Sequence, residues 1–124
     1  ADLCVIMQML VNKGTYGGKR YLKEETVEEF TKRSDGKSRR ALGFDLQEIH
    51  PGYIENLCPE ASDRTFGHSG FTGTYAWADP KNNLIYIFLS NRTFPTMENK
   101  KISILDTRNK IFSLFYHAIA EKHR

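Results

Sequence analysis

The chain has 124 residues, of which 40% are hydrophobic and 27% charged, and its formal net charge is +3 at neutral pH. This length fits one domain with a single core, and no apolar run approaches the roughly 20 residues of a membrane-spanning helix. The charge is mild and the basic run "KSRR" contains no aromatic residue, so we expect no nucleic acid as a partner.

Two helices are predicted in the first third of the chain. Apolar side chains recur with helical spacing at Leu3, Ile6, Met7, Leu10 and Val11. Asp2 is placed to cap the start of this helix and Gly14 to end it. The segment "LKEETVEEFTKR", residues 22–33, has acidic residues near its start and basic residues at its end. This arrangement suits the helix dipole and predicts a second, short helix.

The middle of the chain predicts antiparallel strands. Residues 41–49, "ALGFDLQEI", alternate apolar and polar positions as a strand with one solvated face does. Residues 50–64 contain two prolines and a glycine, which predict a long loop. After it, "TFGHSG", "TGTYAWA" and "LIYIFLSN" predict strands, the last two joined by a hairpin turn from Asp79 to Asn83.

A final helix completes the predicted fold. Its apolar stripe consists of Ile111, Leu114, Phe115, Ala118 and Ile119, and Asp106 or Thr107 is placed to cap it. We therefore predict an α+β fold in which an antiparallel β-sheet carries the N- and C-terminal helices packed on one face.

The cysteines and histidines give no metal-binding pattern. Cys4 and Cys58 lack metal-ligand spacing, so buried thiols are favoured, with a disulfide between them left open. We expect surface or packing roles for His50, His117 and His123. No metal and no cofactor is expected.

The run "TFGHSGFTGTY", residues 65–75, is unusual for a strand. Glycine recurs at every third position: Gly67, Gly70 and Gly73. Glycine weakens a strand and marks a bulge, a barrel corner or a close contact with a helix. The alternative is that another molecule lies against the strand, where free backbone N–H groups bind a developing oxyanion and His68, Ser69 and Thr72 hold a polar group. The residues alone leave both interpretations open.

The same run resembles a known motif. "HSGFTG", residues 68–73, is similar to the third motif, K-T-G, of the serine β-lactamase and penicillin-binding-protein superfamily, in the H-[ST]-G form of class C β-lactamase-related hydrolases and esterases. Other segments resemble family segments in the same order: residues 1–14, 17–30, 41–46 and 67–92, the last ending in S-N-R. The resemblance thus covers nearly the whole chain.

The resemblance implies roles for the motif residues. His68 takes the position of the lysine, Ser69 that of the threonine and Gly70 that of the glycine, where it leaves room for an acyl group. The backbone N–H of Phe71 is one of two oxyanion-hole donors, and Ser69, Gly70 and Thr72 contact the substrate. Because an imidazole is mostly neutral at pH 7, His68 is a weaker anchor for a substrate carboxylate than lysine, which favours esters or D-amino-acid peptides.

Two family motifs are missing. The nucleophile of the family lies in S-x-x-K at the start of a buried helix, and Tyr-x-Asn completes the proton relay. The one S-x-x-K here, Ser34 to Lys37, lies in a polar loop, and Tyr53 to Asn56 is one residue too long for the second motif. In the family both motifs precede the first helix of this chain. We therefore expect residues 1–124 to be a partial domain, the C-terminal segment of a hydrolase, inactive by itself.

The resemblance also suggests partners. These are a small-molecule or peptide acyl substrate, the missing N-terminal part of the same protein, and a second copy bound through open sheet edges, in the periplasm or cell envelope. A non-catalytic binding module with the same fold is the alternative.

Overall fold

A computed structural model of the protein describes residues 2–34, 36, 38–53 and 56–122. Its helices are α1 (Asp2–Val11), α2 (Glu24–Thr31), α3 (Lys101–Ile104) and α4 (Thr107–Lys122). Its strands are β1 (Thr15–Tyr16), β2 (Lys19–Arg20), β3 (Asp45–Leu46), β4 (Phe66–Ser69), β5 (Tyr75–Asp79) and β6 (Leu84–Phe88). The first two strands form a small antiparallel hairpin, and the others form an antiparallel sheet in the order β3-β4-β5-β6. The α+β class and the antiparallel sheet with helices at both chain ends are confirmed.

The two end helices lie on opposite faces of this sheet. One buried cluster joins α4 to the sheet through Phe112, Tyr116, Tyr75, Trp77 and Tyr86. The other joins α1 to it through Met7, Leu10, Leu46, Phe66 and Ala78. Since successive side chains of a strand point to opposite faces, Trp77 and Ala78 belong to different clusters. The expectation that both helices pack on one face is therefore wrong: an apolar stripe shows that a helix packs, but not against which face.

The end of α1 follows the prediction. Lys13 and Gly14 have φ angles of +53° and +90°, and the Gly14 N–H donates to Met9 O at 2.8 Å, as in a helix that ends at a left-handed glycine. Asp2 is the first residue of the helix rather than the residue before it. In the predicted stripe only Met7 and Leu10 are buried.

The strand predicted over residues 41–49 is reduced to β3. The chain turns back just before it, because Gly43 has a φ of +86° and the Ala41 N–H donates to Phe44 O at 2.9 Å. Leu42, which the alternation assigned to the buried face, is 46% exposed. The turn thus removes the first half of the predicted strand.

A buried carboxylate ties the hairpin of β5 and β6 to its surroundings. Asp79, which is fully buried, accepts hydrogen bonds from Ser62, Lys81, Asn82 and Tyr116. Burial opposes ionisation of this carboxyl, but the hydrogen bonds outweigh burial and hold its pKa below the ordinary value. The Tyr116 hydroxyl reaches Asp79 Oδ2 at 2.7 Å, so α4 is fixed to the turn between β5 and β6.

The cysteines are not bonded to each other. Cys4 is exposed and Cys58 is buried, so the expectation of buried thiols holds for Cys58 and is wrong for Cys4. Burial raises the pKa of Cys58 to about 12, and this thiol therefore stays protonated and packs as an apolar group. Across residues 2–34, 36, 38–53 and 56–122, no helix has the length and apolar character that crossing a bilayer requires.

Candidate functional site

The glycine-rich run forms the end of β4 and the loop that leads into β5. The Gly73 N–H donates to Gly70 O at 3.0 Å, and the Gly70 N–H donates to Thr74 O at 2.7 Å. Together with the φ of +94° at Gly73, these bonds define a three-residue hairpin loop that ends in a glycine bulge. Phe71 and Thr72 lie at the tip of this loop, which we call the tip loop (residues 70–74).

The three glycines of the run differ in what a Cβ atom at each position would contact. At Gly67 a Cβ atom would lie 2.2 Å from Ala76 O and 2.7 Å from the Trp77 ring, because β5 lies directly against it. At Gly73 the positive φ and the Ser90 hydroxyl, 2.6 Å from a Cβ, both exclude a side chain. At Gly70 the nearest atom is Thr74 Cβ at 3.5 Å, an ordinary contact. The packing of this chain thus explains two glycines, whereas a Cβ atom at Gly70 would meet no obstruction.

The tip loop presents free backbone donors. Phe71 is 69% exposed, and within the described part of the chain no acceptor is hydrogen-bonded to its N–H or to that of Thr72. Successive free N–H groups of a turn form a concave surface that suits an anion. The geometry therefore leaves the Phe71 N–H accessible for the oxyanion role, which remains a prediction.

His68 is exposed and its ring is oriented by one backbone contact. Its Nδ1 atom lies 2.9 Å from Ser69 O. A carbonyl oxygen can only accept, so Nδ1 carries the hydrogen and, in the neutral ring, Nε2 has a lone pair. No partner of Nε2 occurs among the residues that the structure describes. The Nε2 atom of His68 can therefore accept a hydrogen bond from a polar group.

Ser69 lies on the opposite face of β4, at the mouth of a small polar cavity. The cavity has a volume of about 120 Å³, and Tyr75, Trp77 and Arg108 also line it. Arg108 stacks at 5.0 Å over the Tyr75 ring and donates to Gly73 O at 3.3 Å. Burial raises the pKa of Tyr75, so its hydroxyl stays protonated. Another cavity, of about 480 Å³, lies between residues 57–59 and residues 106–114, and none of the motif residues lines it.

The serine of the S-x-x-K match does not lie at the start of a helix. Ser34 lies in an exposed loop, where its hydroxyl donates to Arg40 O at 3.1 Å, and Lys37 lies outside the described residues. Tyr53 is 71% exposed. In the described ranges no group of three or more His, Cys, Asp or Glu side chains could hold a metal ion.

Two other histidines are paired with carboxylates. His50 Nδ1 lies 2.8 Å from Glu48 Oε1, and its Nε2 lies 3.1 Å from Gly36 O. His117 Nε2 lies 2.9 Å from Glu60 Oε1. The hydrogen bond to Glu48 raises the pKa of His50 above its ordinary value. The prediction for His123 falls outside the described residues.

Sequence reasoning missed one residue at the tip loop. Arg92, just after β6, donates from Nε to Phe71 O at 2.8 Å. It appeared in the sequence only as the end of the S-N-R segment, and no local pattern indicates that it reaches across to β4. The contact depends on the tertiary arrangement of the two hairpins.

Comparisons with known proteins agree with the motif. The sequence model of the beta-lactamase family matches residues 1–108. Proteins of Salmonella newport, Salmonella heidelberg and Salmonella agona, provisionally named D-alanyl-D-alanine carboxypeptidases, are each 32% identical to the chain over 102 residues. The match covers 82% of this chain and 23% of each relative, so the chain spans about a quarter of their length.

Proposed function

Because the chain belongs to the beta-lactamase family, we propose that it forms one wall of the active site of an acyl-serine hydrolase. In this proposal residues 1–124 are the C-terminal part of a domain whose remainder supplies the nucleophile. The observation that carries the proposal is the tip loop, where the Phe71 N–H has no acceptor among the described residues and the adjacent Gly70 has no neighbour closer than 3.5 Å to the position of a Cβ atom. A donor and room for an acyl group at one position are what an oxyanion hole requires.

The residues of this wall have distinct tasks. When the serine attacks the acyl carbonyl, the oxygen becomes negatively charged, and the Phe71 N–H donates to it. One such donor lowers the transition-state free energy by about 3 kcal/mol in other hydrolases. His68 Nε2 and the hydroxyls of Ser69 and Thr72 bind polar groups of the substrate and orient it.

The substrate is a β-lactam, an ester or a peptide ending in D-amino acids. The names of the Salmonella relatives make a D-alanyl-D-alanine peptide the first compound to test. The histidine at the lysine position weakens the anchor for a terminal carboxylate, so p-nitrophenyl esters belong in the same assay.

The test compares the chain with the longer protein encoded by the complete reading frame. We expect a fluorophosphonate probe to label a serine of the longer protein, which should hydrolyse at least one of nitrocefin, a p-nitrophenyl ester and a D-alanyl-D-alanine peptide. The 124-residue chain should show neither activity. Stoichiometric labelling of the chain alone would contradict the proposed division of the active site.

A non-catalytic binding module with the same fold is the second candidate. In that case the longer protein binds the D-alanyl-D-alanine peptide but is not labelled by the probe. The sequence of the longer protein tests the same point: an upstream S-x-x-K motif in which another residue replaces the serine or the lysine would also indicate a binding module.

The outer edge of β6 is the surface where we expect the rest of the protein, or a second copy of the chain, to bind. This strand is last in the order β3-β4-β5-β6, and an uncovered edge strand readily pairs with another strand. We propose that the rest of the protein covers it, and that the isolated chain dimerises there. The measurement is the molecular mass by light scattering over a range of concentrations.

A further inference from the structure

The side chain of Arg92 contacts both the backbone and a side chain of the tip loop. Its Nε atom donates to Phe71 O at 2.8 Å, and its guanidinium group lies 4.7 Å from the centre of the Phe71 ring. Its Nη1 atom is within 3.4 Å of both Met97 O and Asn99 O. The guanidinium group therefore connects the tip loop to the segment that follows β6.

The main chain of Arg92 adds a second connection. Its N–H donates to Thr72 O at 2.8 Å, and the Ser90 hydroxyl donates to the same oxygen at 3.3 Å. The carbonyl groups of both tip residues, Phe71 and Thr72, are thus bound by residues 90–92. Their N–H groups have no acceptor among the residues that the structure describes.

These contacts determine the direction of the free N–H groups. The peptide plane before Phe71 is fixed by the bond from the Gly73 N–H to Gly70 O. The plane after Phe71 is fixed by Arg92 Nε, and the plane after Thr72 by the Arg92 N–H. Since the peptide group is planar, fixing each carbonyl also fixes the N–H of the same plane. An oxyanion donor must be held to within a fraction of an ångström, because a small displacement costs a large part of the rate.

We propose that Arg92 is a positioning residue. Through the Phe71 carbonyl group it fixes the peptide plane that carries the Thr72 N–H, and it thereby holds in one orientation the tip loop whose adjoining plane carries the Phe71 N–H. This inference rests on the proposed function for the role of Phe71, while the effect of Arg92 on the tip loop can be measured separately. A planar guanidinium group bonds several carbonyl oxygens while it stacks on a ring, whereas a lysine ammonium group cannot do both. Arginine is therefore the side chain that this position needs.

The first experiment measures amide hydrogen exchange in the chain by NMR. In Arg92→Met we expect the Gly70 and Gly73 N–H groups to exchange roughly tenfold faster, because the loop opens more often without the guanidinium contacts. The matched control is Arg20→Met: Arg20 also donates to backbone carbonyls, Lys13 O at 2.9 Å and Leu22 O at 3.0 Å, but at the hairpin of β1 and β2. In the control the exchange of the tip loop should be unchanged.

The second experiment measures kinetics in the longer protein. Arg92→Met should lower kcat by about tenfold to a hundredfold, which is at most the effect of losing an oxyanion donor. KM should stay within about twofold, because binding of the substrate in the ground state is intact. Arg92→Lys should recover part of kcat, since its ammonium group can still donate to Phe71 O. A merely structural role would lower the amount of active enzyme but would leave kcat per active site, counted by titration with the fluorophosphonate probe, unchanged in all variants.

The results separate the two proposals. Unchanged exchange in Arg92→Met, or equal acceleration in Arg20→Met, would overturn the positioning role. A raised KM with unchanged kcat would overturn it as well. If the wild-type longer protein hydrolyses none of the substrates, the proposed function fails, and the exchange of Gly70 and Gly73 alone decides whether Arg92 orders the tip loop.

Discussion

Alanine substitutions at Gly67 and Gly70 are expected to affect this protein in different ways. The two glycines are three residues apart in the same run, but only Gly67 lies against another strand. A Cβ at Gly67 would be 2.2 Å from Ala76 O, whereas one at Gly70 would be 3.5 Å from its nearest neighbour. Gly67→Ala should therefore damage the fold, and Gly70→Ala should damage catalysis.

The structure sets the size of each effect. At Gly67 the obstructing atoms belong to the backbone of β5 and to the Trp77 ring, so they cannot move without separating the strands. We expect a loss of about 3 kcal/mol in the free energy of unfolding, the upper range for overpacking. At Gly70 alanine meets no obstruction and reduces the entropy of the unfolded chain, which stabilises by about 0.4 to 1 kcal/mol.

Urea unfolding followed by the fluorescence of Trp77, the one tryptophan of the chain, measures both variants. With a denaturant dependence of about 1.5 kcal/mol per molar, the midpoint should fall by roughly 2 M for Gly67→Ala and should rise slightly for Gly70→Ala. In the longer protein Gly70→Ala should lower kcat by about a hundredfold, as loss of an oxyanion donor does. A Gly70→Ala variant with wild-type activity would refute the idea that this glycine leaves room for an acyl group.

Three further predictions concern stability and pH. Tyr116→Phe should lower the free energy of unfolding by about 1.5 to 3 kcal/mol because it removes a hydrogen bond to a buried carboxylate. In contrast, Tyr86→Phe should be neutral or stabilising, because the buried Tyr86 hydroxyl has no partner within the described residues; equal losses in urea titrations would refute this contrast. The pKa of Asp79 is lowered, so its contribution to stability is complete above about pH 4 and is lost as the pH falls further; urea midpoints of Asp79→Asn should lack this step. The pKa of His50 is raised, so its pairing with Glu48 stabilises below about pH 6.5 and is lost as the pH rises through the folded-state pKa; an NMR midpoint at or below 6.5 would contradict this.

The elements that the sequence predicts well are those with long apolar patterns. The strands β4 to β6 and the helices α1, α2 and α4 lie close to their predicted positions. The apolar stripe predicted for α4 is wrong, however, because Phe112 and Tyr116 are its buried residues while Leu114 and Phe115 of the stripe are exposed. In contrast, β1 and β2 have two residues each and α3 has four, which is too short for a period to be recognised. Gly17 and Gly18, with φ angles of +57° and +76°, marked the turn of the first hairpin but had no alternating flanks.

In the candidate site, too, the sequence predicted some features and not others. The glycine pattern and the resemblance directed attention to the tip loop, but neither could distinguish Gly67, which packs against Trp77, from Gly70, which does not. The contacts of Arg92 arise only when the segment after β6 lies beside the tip loop. Which face of a sheet a helix covers, and which distant side chain reaches a loop, depend on the three-dimensional path of the chain.

The opposite placement of α1 and α4 has a consequence for how this motif can diverge. His68 shares a strand face with Phe66, which packs in the α1 cluster, while Ser69 shares the other face with Trp77, in the α4 cluster. Two adjacent motif residues thus respond to separate halves of the interior. Substitutions that repack one helix can shift the imidazole without disturbing the hydroxyl, and the reverse also holds. Under the proposed function, the substrate contacts at these two positions can therefore change in independent steps.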